Sequence, residues 1–210
     1  MIKKYTQYIK EYLNQDIDPY GEEDWEIDNL SPVLQIARRY GKPYDQILDI
    51  YCAFHELTNL EGIENLRNLA MLHCSYNQLT DLKGIENLIH LKRLFCLNNQ
   101  ITTLAGIEDL TNLKTLDCGN NQLTSLDSIE NLTNLKFLIC NNNHLTSLRV
   151  IENLVNLEYL SCYNNQLTSL DGIVNLTNLQ ILYCYYNRFS EEYKEYLKAY
   201  CKQKNINLNI

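Results

Sequence analysis

Basic residues are in short supply: 18 lysines and arginines stand against 26 acids, a net charge of -8. Phosphate backbones and anionic lipid attract the opposite sign, so no nucleic-acid partner and no membrane partner is expected. Long apolar runs are missing as well. No stretch of about 18 apolar residues is available to span a bilayer. Residues 1–10 carry lysines with no apolar h-region behind them, so no secretory signal is visible. The expected location is the cytoplasm, and delivery into a host cell by a specialised export system would leave no mark of this kind. Catalytic signatures are absent too: there is no G-x-S-x-G, no P-loop, no H-E-x-x-H and no paired C-x-x-C. No enzyme, no cofactor and no metal is therefore expected.

What is present is one phrase written repeatedly. Leu69-Ala-Met-Leu72-His-Cys74-Ser-Tyr-Asn77-Gln-Leu79 and Leu91-Lys-Arg-Leu94-Phe-Cys96-Leu-Asn-Asn99-Gln-Ile101 share the frame L-x-x-L-x-C-x-x-N-x-L. Cys74, Cys96, Cys118, Cys140, Cys162 and Cys184 keep a step of 22 residues, as do Asn77, Asn99, Asn121, Asn143, Asn165 and Asn187. A degenerate copy precedes them at Ile47–Leu57, with His55 in the asparagine slot. A period of this length with this frame marks a leucine-rich repeat solenoid. The expected fold class is an α/β solenoid, a curved right-handed superhelix with a parallel sheet on its concave face.

In the first regular repeat Leu57, Leu60, Ile63, Leu66, Leu69, Leu72 and Cys74 are expected to point inward, with Leu69–Ser75 as the strand. The return half, Asn59 to Leu66, is too short for a full helix, which predicts irregular or 3₁₀ turns. Each turn asparagine has an amide able to satisfy backbone groups that the turn leaves unpaired. Six of the eight cysteines take one equivalent inward position. Neighbouring strands lie about 4.7–4.9 Å apart, whereas disulfide Cβ atoms want about 3.8 Å. Reduced thiols behave as small hydrophobes, so the column reads as core. A metal ladder would need converging ligands and an entry path.

Bare core at either end of a solenoid requires covering. Three units are expected: residues 1–42 as an N-terminal helical cap, 43–188 as the solenoid of six regular repeats plus one degenerate, and 189–210 as a helix-strand cap. Ile2, Tyr5, Ile9, Tyr12 and Leu13 recur at helical spacing, predicting a helix near 3–14. An acidic run follows over 16–28, and residues 1–30 hold three lysines against eight acids. Asp16-x-Asp18 with Gly21 faintly echoes a calcium loop, but Tyr20 and Ile27 occupy ligand places, so a solvated loop is the reading. Ser31-Pro32 signals a helix start and Gly41 its stop. Ser190 can cap a helix whose stripe is Tyr193, Tyr196, Leu197, Tyr200 and Cys201, and Ile206, Leu208 and Ile210 alternate as a closing strand.

The phrase Leu79-Thr-Asp-Leu-Lys-Gly-Ile-Glu-Asn-Leu88 resembles the 22-residue leucine-rich repeats of bacterial internalins and of the leucine-rich regulatory subunit of protein phosphatase 1. The resemblance covers residues 47–187. It departs in carrying cysteine where leucine is usual, a variant similar to repeats in some bacterial and giant-virus proteins. No signal peptide or wall-anchoring region accompanies it, unlike surface internalins. The family implies protein recognition on the concave sheet and no catalysis.

With the frame committed to folding, specificity falls to the outward strand positions. They form three columns: Met71, Arg93, Thr115, Phe137, Tyr159, Ile181; then His73, Phe95, Asp117, Ile139, Ser161, Tyr183; then Ser75, Leu97, Gly119, Asn141, Tyr163, Tyr185, with Tyr186 beside it. A face left to water should be polar, and this one is rich in tyrosine, a residue enriched in hot spots. Strand propensity and cross-strand ladders offer a second reason for the same rings. The partner-binding set is Phe95, Leu97, Asp117, Phe137, Ile139, Tyr159, Tyr163, Ile181, Tyr183, Tyr185 and Tyr186, densest in the C-terminal half. Arg93 and Asp117, one column apart in adjacent repeats, are placed to pair or to rim the site. The expected function is a protein-binding module, a regulator or inhibitor of an enzyme or an effector, monomeric or weakly homo-oligomeric. The alternative is a self-associating scaffold built on the tyrosine-rich surfaces.

Overall fold

A computed structural model describes residues 30–210; the expected helix near 3–14 and the acidic run at 16–28 lie outside them. The architecture is an α/β solenoid. One eight-stranded sheet runs in chain order, with every neighbouring pair parallel. Its strands are β1 Asp49–Tyr51, β2 Met71–His73, β3 Arg93–Phe95, β4 Thr115–Asp117, β5 Phe137–Ile139, β6 Tyr159–Ser161, β7 Ile181–Tyr183 and β8 Asn207–Asn209. Within the repeats the register equals the sequence period: Asp49 aligns with Met71, Met71 with Arg93, and onward to Ile181. Equivalent side chains therefore stack in straight columns.

The frame positions form the core. Leu57, Leu60, Ile63, Leu66, Leu69, Leu72 and Cys74 are all buried, and the same holds in each later repeat. Burying each large apolar side chain contributes roughly 1.5–3 kcal/mol against the entropy of ordering the chain. All eight thiols are free and buried. Burial pushes the Cys118 thiol well above its ordinary pKa, and neighbouring Cys140 adds to the shift.

The turns are closed by amides. Asn121 Oδ1 accepts from Ile101 N–H at 3.0 Å, and its Nδ2 donates to the carbonyls of Cys96, Cys118 and Gly119 at 3.0, 3.1 and 3.1 Å. Asn77, Asn143, Asn165 and Asn187 repeat the pattern. A second asparagine ladder, which the sequence reading passed over, runs along the return side. Asn112, Asn134, Asn156 and Asn178 each donate to a carbonyl 23 residues back, at 2.8–2.9 Å. The return segments are short 3₁₀ turns, as at Ile63–Asn65, Asp127–Ile129, Arg149–Asn153 and Asp171–Asn175, or irregular.

Helix α1, Pro32–Arg38, starts where Ser31 Oγ accepts from Leu34 N–H at 3.4 Å, and Val33, Ile36 and Ala37 join the core. Gly62 lets it approach: a Cβ there would meet Ser31 Oγ at 2.5 Å, and its φ is +92°. Helix α2, Glu191–Lys204, is capped by Ser190 Oγ, which accepts from Tyr193 N–H at 3.1 Å. Leu197 and Cys201 are buried, while Tyr193 and Tyr200 pack half-buried against the core. The closing strand β8 is parallel to β7 and spans Asn207–Asn209, narrower than the alternation of 206–210 suggests.

Two substitutions test this framework by denaturant unfolding. Leu116→Ala, in the central strand, should cost about 2–5 kcal/mol through the cavity it leaves. Asn121→Ala removes little volume but orphans buried backbone groups at about 1–3 kcal/mol each, so its loss should match or exceed about 3 kcal/mol.

Candidate functional site

The side of the sheet turned away from the leucines is the candidate surface, and strand alternation places it there. Its residues fall into the expected columns, since Phe137 aligns with Tyr159 and Tyr159 with Ile181, and Ser161 with Tyr183. The aromatic rings contact one another along and across these columns. Phe137 and Tyr159 have centroids 6.3 Å apart, Tyr159 and Tyr183 5.9 Å. Tyr163 and Tyr185 stack at 4.5 Å with planes 6° apart, and Tyr186 meets Tyr185 edge-on at 5.0 Å.

Exposure is graded along the face. Over β2–β4 it is nearly closed: Met71, His73, Phe95 and Asp117 retain 1%, 7%, 3% and 4% of their surface. Phe95 sits edge-on to His73 at 5.4 Å, and short Asp117 lies in register between Phe95 and Ile139. Phe95 and Asp117 thus offer little area to a partner. Over β5–β7, Phe137, Ile139, Tyr159, Ile181 and Tyr183 are half-buried. Leu97, Tyr163 and Tyr185 are half-buried too, and Tyr186 is 77% exposed. Of the predicted set, nine residues are thus accessible, and eight of those belong to the last three repeats or border them.

Arg93 approaches Asp49, two repeats back, at 3.7 Å. Asp117 Oδ1 accepts from Gly119 N–H at 3.2 Å. An exposed pair such as Arg93–Asp49 contributes about 0–1 kcal/mol. Burial pushes the Tyr159 hydroxyl up to about 12, with Tyr183 adding to the rise, so it stays a protonated donor.

Two aromatic residues escaped the sequence reading. Phe54 and Tyr76 stack at 4.3 Å and are 57% and 42% exposed. Both have positive φ, and so do Asn98, Asn120, Asn142, Asn164 and Tyr186 at the same place in later repeats. The signal was available as the column immediately before the turn asparagine. Asparagine tolerates the left-handed region and a bulky ring does not, so the ring-bearing slots stand apart.

Chemically the face offers aromatic area, hydroxyl donors and few charges. His73 lies on it, while the adjacent Cys74 belongs to the core and burial holds its thiol protonated. Among the described residues no group of three or more histidine, cysteine or acidic side chains gathers as metal ligands. No described helix is long and apolar enough to cross a membrane.

A family model described as a leucine-rich repeat region matches residues 47–208. Among solved structures, internalin C2 of Listeria monocytogenes is similar at 33% identity and a TM-score of 0.69, over 70% of this chain and 66% of that one. The internalin inlF of the same organism is similar at 27% identity and a TM-score of 0.68, over 72% and 44%. The functional domain of InlJ from Listeria monocytogenes, which includes a cysteine ladder, is similar at 27% identity and a TM-score of 0.59, over 77% and 38%. This chain therefore spans less than two thirds of the length of each. No curated protein is a significant match.

His73 provides a test of how closed the β2–β4 half is. Burial lowers its pKa from 6.5 to about 4, so the unfolded chain takes up the proton first. Its contribution to stability should be intact above pH 6.5 and fall as pH drops from 6.5 toward 4. NMR titration of the ring should give a midpoint near 4, and His73→Gln should flatten the acid limb of the denaturation profile.

Proposed function

Because the chain belongs to the leucine-rich repeat family, we propose that it is a protein-recognition module that grips a partner on the open face of its sheet, over β5–β7. The observation that carries this reading is the accessible aromatic ladder of Phe137, Tyr159, Tyr183, Tyr163, Tyr185 and Tyr186. Cross-strand packing accounts for part of such a surface, but it does not require rings left accessible to water, whereas tyrosines are enriched among the hot spots of protein contacts. The rings already hold one another in place, which lowers the entropy lost when a partner arrives. The partner is a protein with an apolar or aromatic protrusion, because the accessible columns carry almost no charge. Action as a regulator, an inhibitor or an effector follows from which protein is gripped, and the cytoplasm is the proposed place of action. We assign no catalytic step to the chain.

The test is affinity capture of partners, followed by Phe137→Ala, Tyr159→Ala and Tyr183→Ala in the intact protein. Each should weaken binding by about 1–3 kcal/mol, as truncated hot-spot rings do. Normal affinity in all three correctly folded variants would place recognition elsewhere. Light scattering across concentrations separates this reading from self-association, which predicts growth in mass without any partner.

A further inference from the structure

A second surface lies apart from the open face, between the 3₁₀ turn at Asp171–Asn175 and the start of α2. It is a hollow of about 530 Å³, within the range of about 300–1,000 Å³ typical of ligand sites. One wall is fixed, because Leu170 N–H donates to the Tyr193 hydroxyl oxygen at 2.6 Å. The Tyr193 and Tyr196 rings lie 5.6 Å apart, tilted by 36°. Tyr196 is 45% exposed and Val174 51%, so aromatic and aliphatic surfaces both reach solvent here. Asp171 and Glu192 complete the lining with two carboxylates.

Charge decides what fits. The lysines of α2 nearest the hollow are engaged elsewhere: Lys194 pairs with Glu191 at 2.6 Å and Lys198 with Glu195 at 2.7 Å. Among the described ion pairs, neither Asp171 nor Glu192 has a basic partner, and Arg149, one repeat before Asp171, is in none either. Burial raises the pKa of the Tyr193 hydroxyl, the hydrogen bond from Leu170 N–H opposes this, and the nearby Asp171 carboxylate adds to the rise. Two tyrosine rings, the Val174 side chain and two carboxylates without a basic partner among the described ion pairs line the hollow and complement a cation on an apolar stem. A guanidinium suits this lining better than an ammonium, since it is planar, weakly hydrated and stacks on aromatic rings.

We propose that this hollow binds an arginine side chain of a partner polypeptide, its head between Asp171 and Glu192 and against Tyr193 and Tyr196, its stem on Val174. The site is independent of the aromatic columns and contains none of their residues.

The experiment is an NMR titration of the full chain with acetyl-Gly-Arg-Gly-amide and with the same peptide carrying citrulline, the uncharged isostere. The arginine peptide should give saturable shifts at Asp171, Val174, Tyr193 and Tyr196, and the citrulline peptide should bind at least about fivefold more weakly. Asp171→Asn with Glu192→Gln should weaken the arginine peptide at least about fivefold with the thermal unfolding midpoint unchanged, and Tyr196→Ala should do so through the lost ring. Equal binding of the two peptides, shifts confined to β5–β7, no saturable shift, or undiminished binding in the double variant would each overturn the assignment. None of these outcomes bears on partner capture by Phe137, Tyr159 and Tyr183, so the two surfaces stand or fall separately.

Discussion

The amide of one asparagine per repeat is the constraint on which the solenoid rests. After each cysteine the chain must leave the strand and turn inward, which strands backbone groups in a dry place. An amide both donates and accepts, and neither a carboxylate nor an aliphatic side chain does so there. Each such amide also reaches into the preceding repeat: Asn77 to the Cys52 carbonyl, Asn99 to that of Cys74, Asn121 to that of Cys96. Losing one therefore loosens two repeats, the nearest-neighbour coupling expected of a stacked array. The degenerate first copy illustrates the direction of the dependence. His55 occupies the asparagine slot and its ring nitrogen lies 2.6 Å from the Ala53 carbonyl, yet its backbone N–H is satisfied by Asn77 from the next repeat. Among the described residues no earlier repeat precedes this slot, so its lapse leaves no upstream turn without its amide.

The cysteine column follows from the same geometry. The position is fully buried immediately before the turn, where the amide also binds the cysteine's own carbonyl. Here a short side chain leaves the turn room and still buries its surface. Burial lifts the thiols' pKa from Cys52 to Cys184. Neutral thiols tolerate strand spacing, whereas a row of thiolates would repel itself in a low-dielectric core. The thiols even contribute weak donors, as Cys118 Sγ does toward the Ile139 carbonyl at 3.4 Å.

Most of the architecture was legible because period, frame and register are one number. Once 22 is read off the cysteines, the inward set, the strand positions and the columns follow without further information. The grading of the open face was not legible. Alternation says that Phe95 and Tyr159 point the same way, but whether either reaches solvent depends on the bulk of its neighbours in adjacent repeats. The approach of Arg93 to Asp49 was not legible for a related reason: a long guanidinium reaches carboxylates across two strands, and column spacing alone does not rank them. The second asparagine ladder was hidden because its residues lie in the return half, where the motif was read for leucines. The hollow beside α2 had no sequence signature, since it depends on how a helix outside the repeat pattern meets the last turn.

The open face carries a feature that folding alone does not require. In the column before the turn, the left-handed backbone is inexpensive for asparagine and strained for a ring. Four inner repeats use asparagine there, while Phe54, Tyr76 and Tyr186 occupy the outer ones. Stacking of Phe54 on Tyr76 offsets part of that strain at one end. Tyr186 has only an edge contact to Tyr185 and leaves 77% of its surface in water. Neither backbone preference nor burial explains a tyrosine at that place, and the proposed recognition role would account for it. Tyr186 adjoins the Tyr163–Tyr185 stack and so continues the accessible ladder of β5–β7 past the strand end. The strained ring and the exposed face are thus two signs of one surface, and they coincide in the last three repeats.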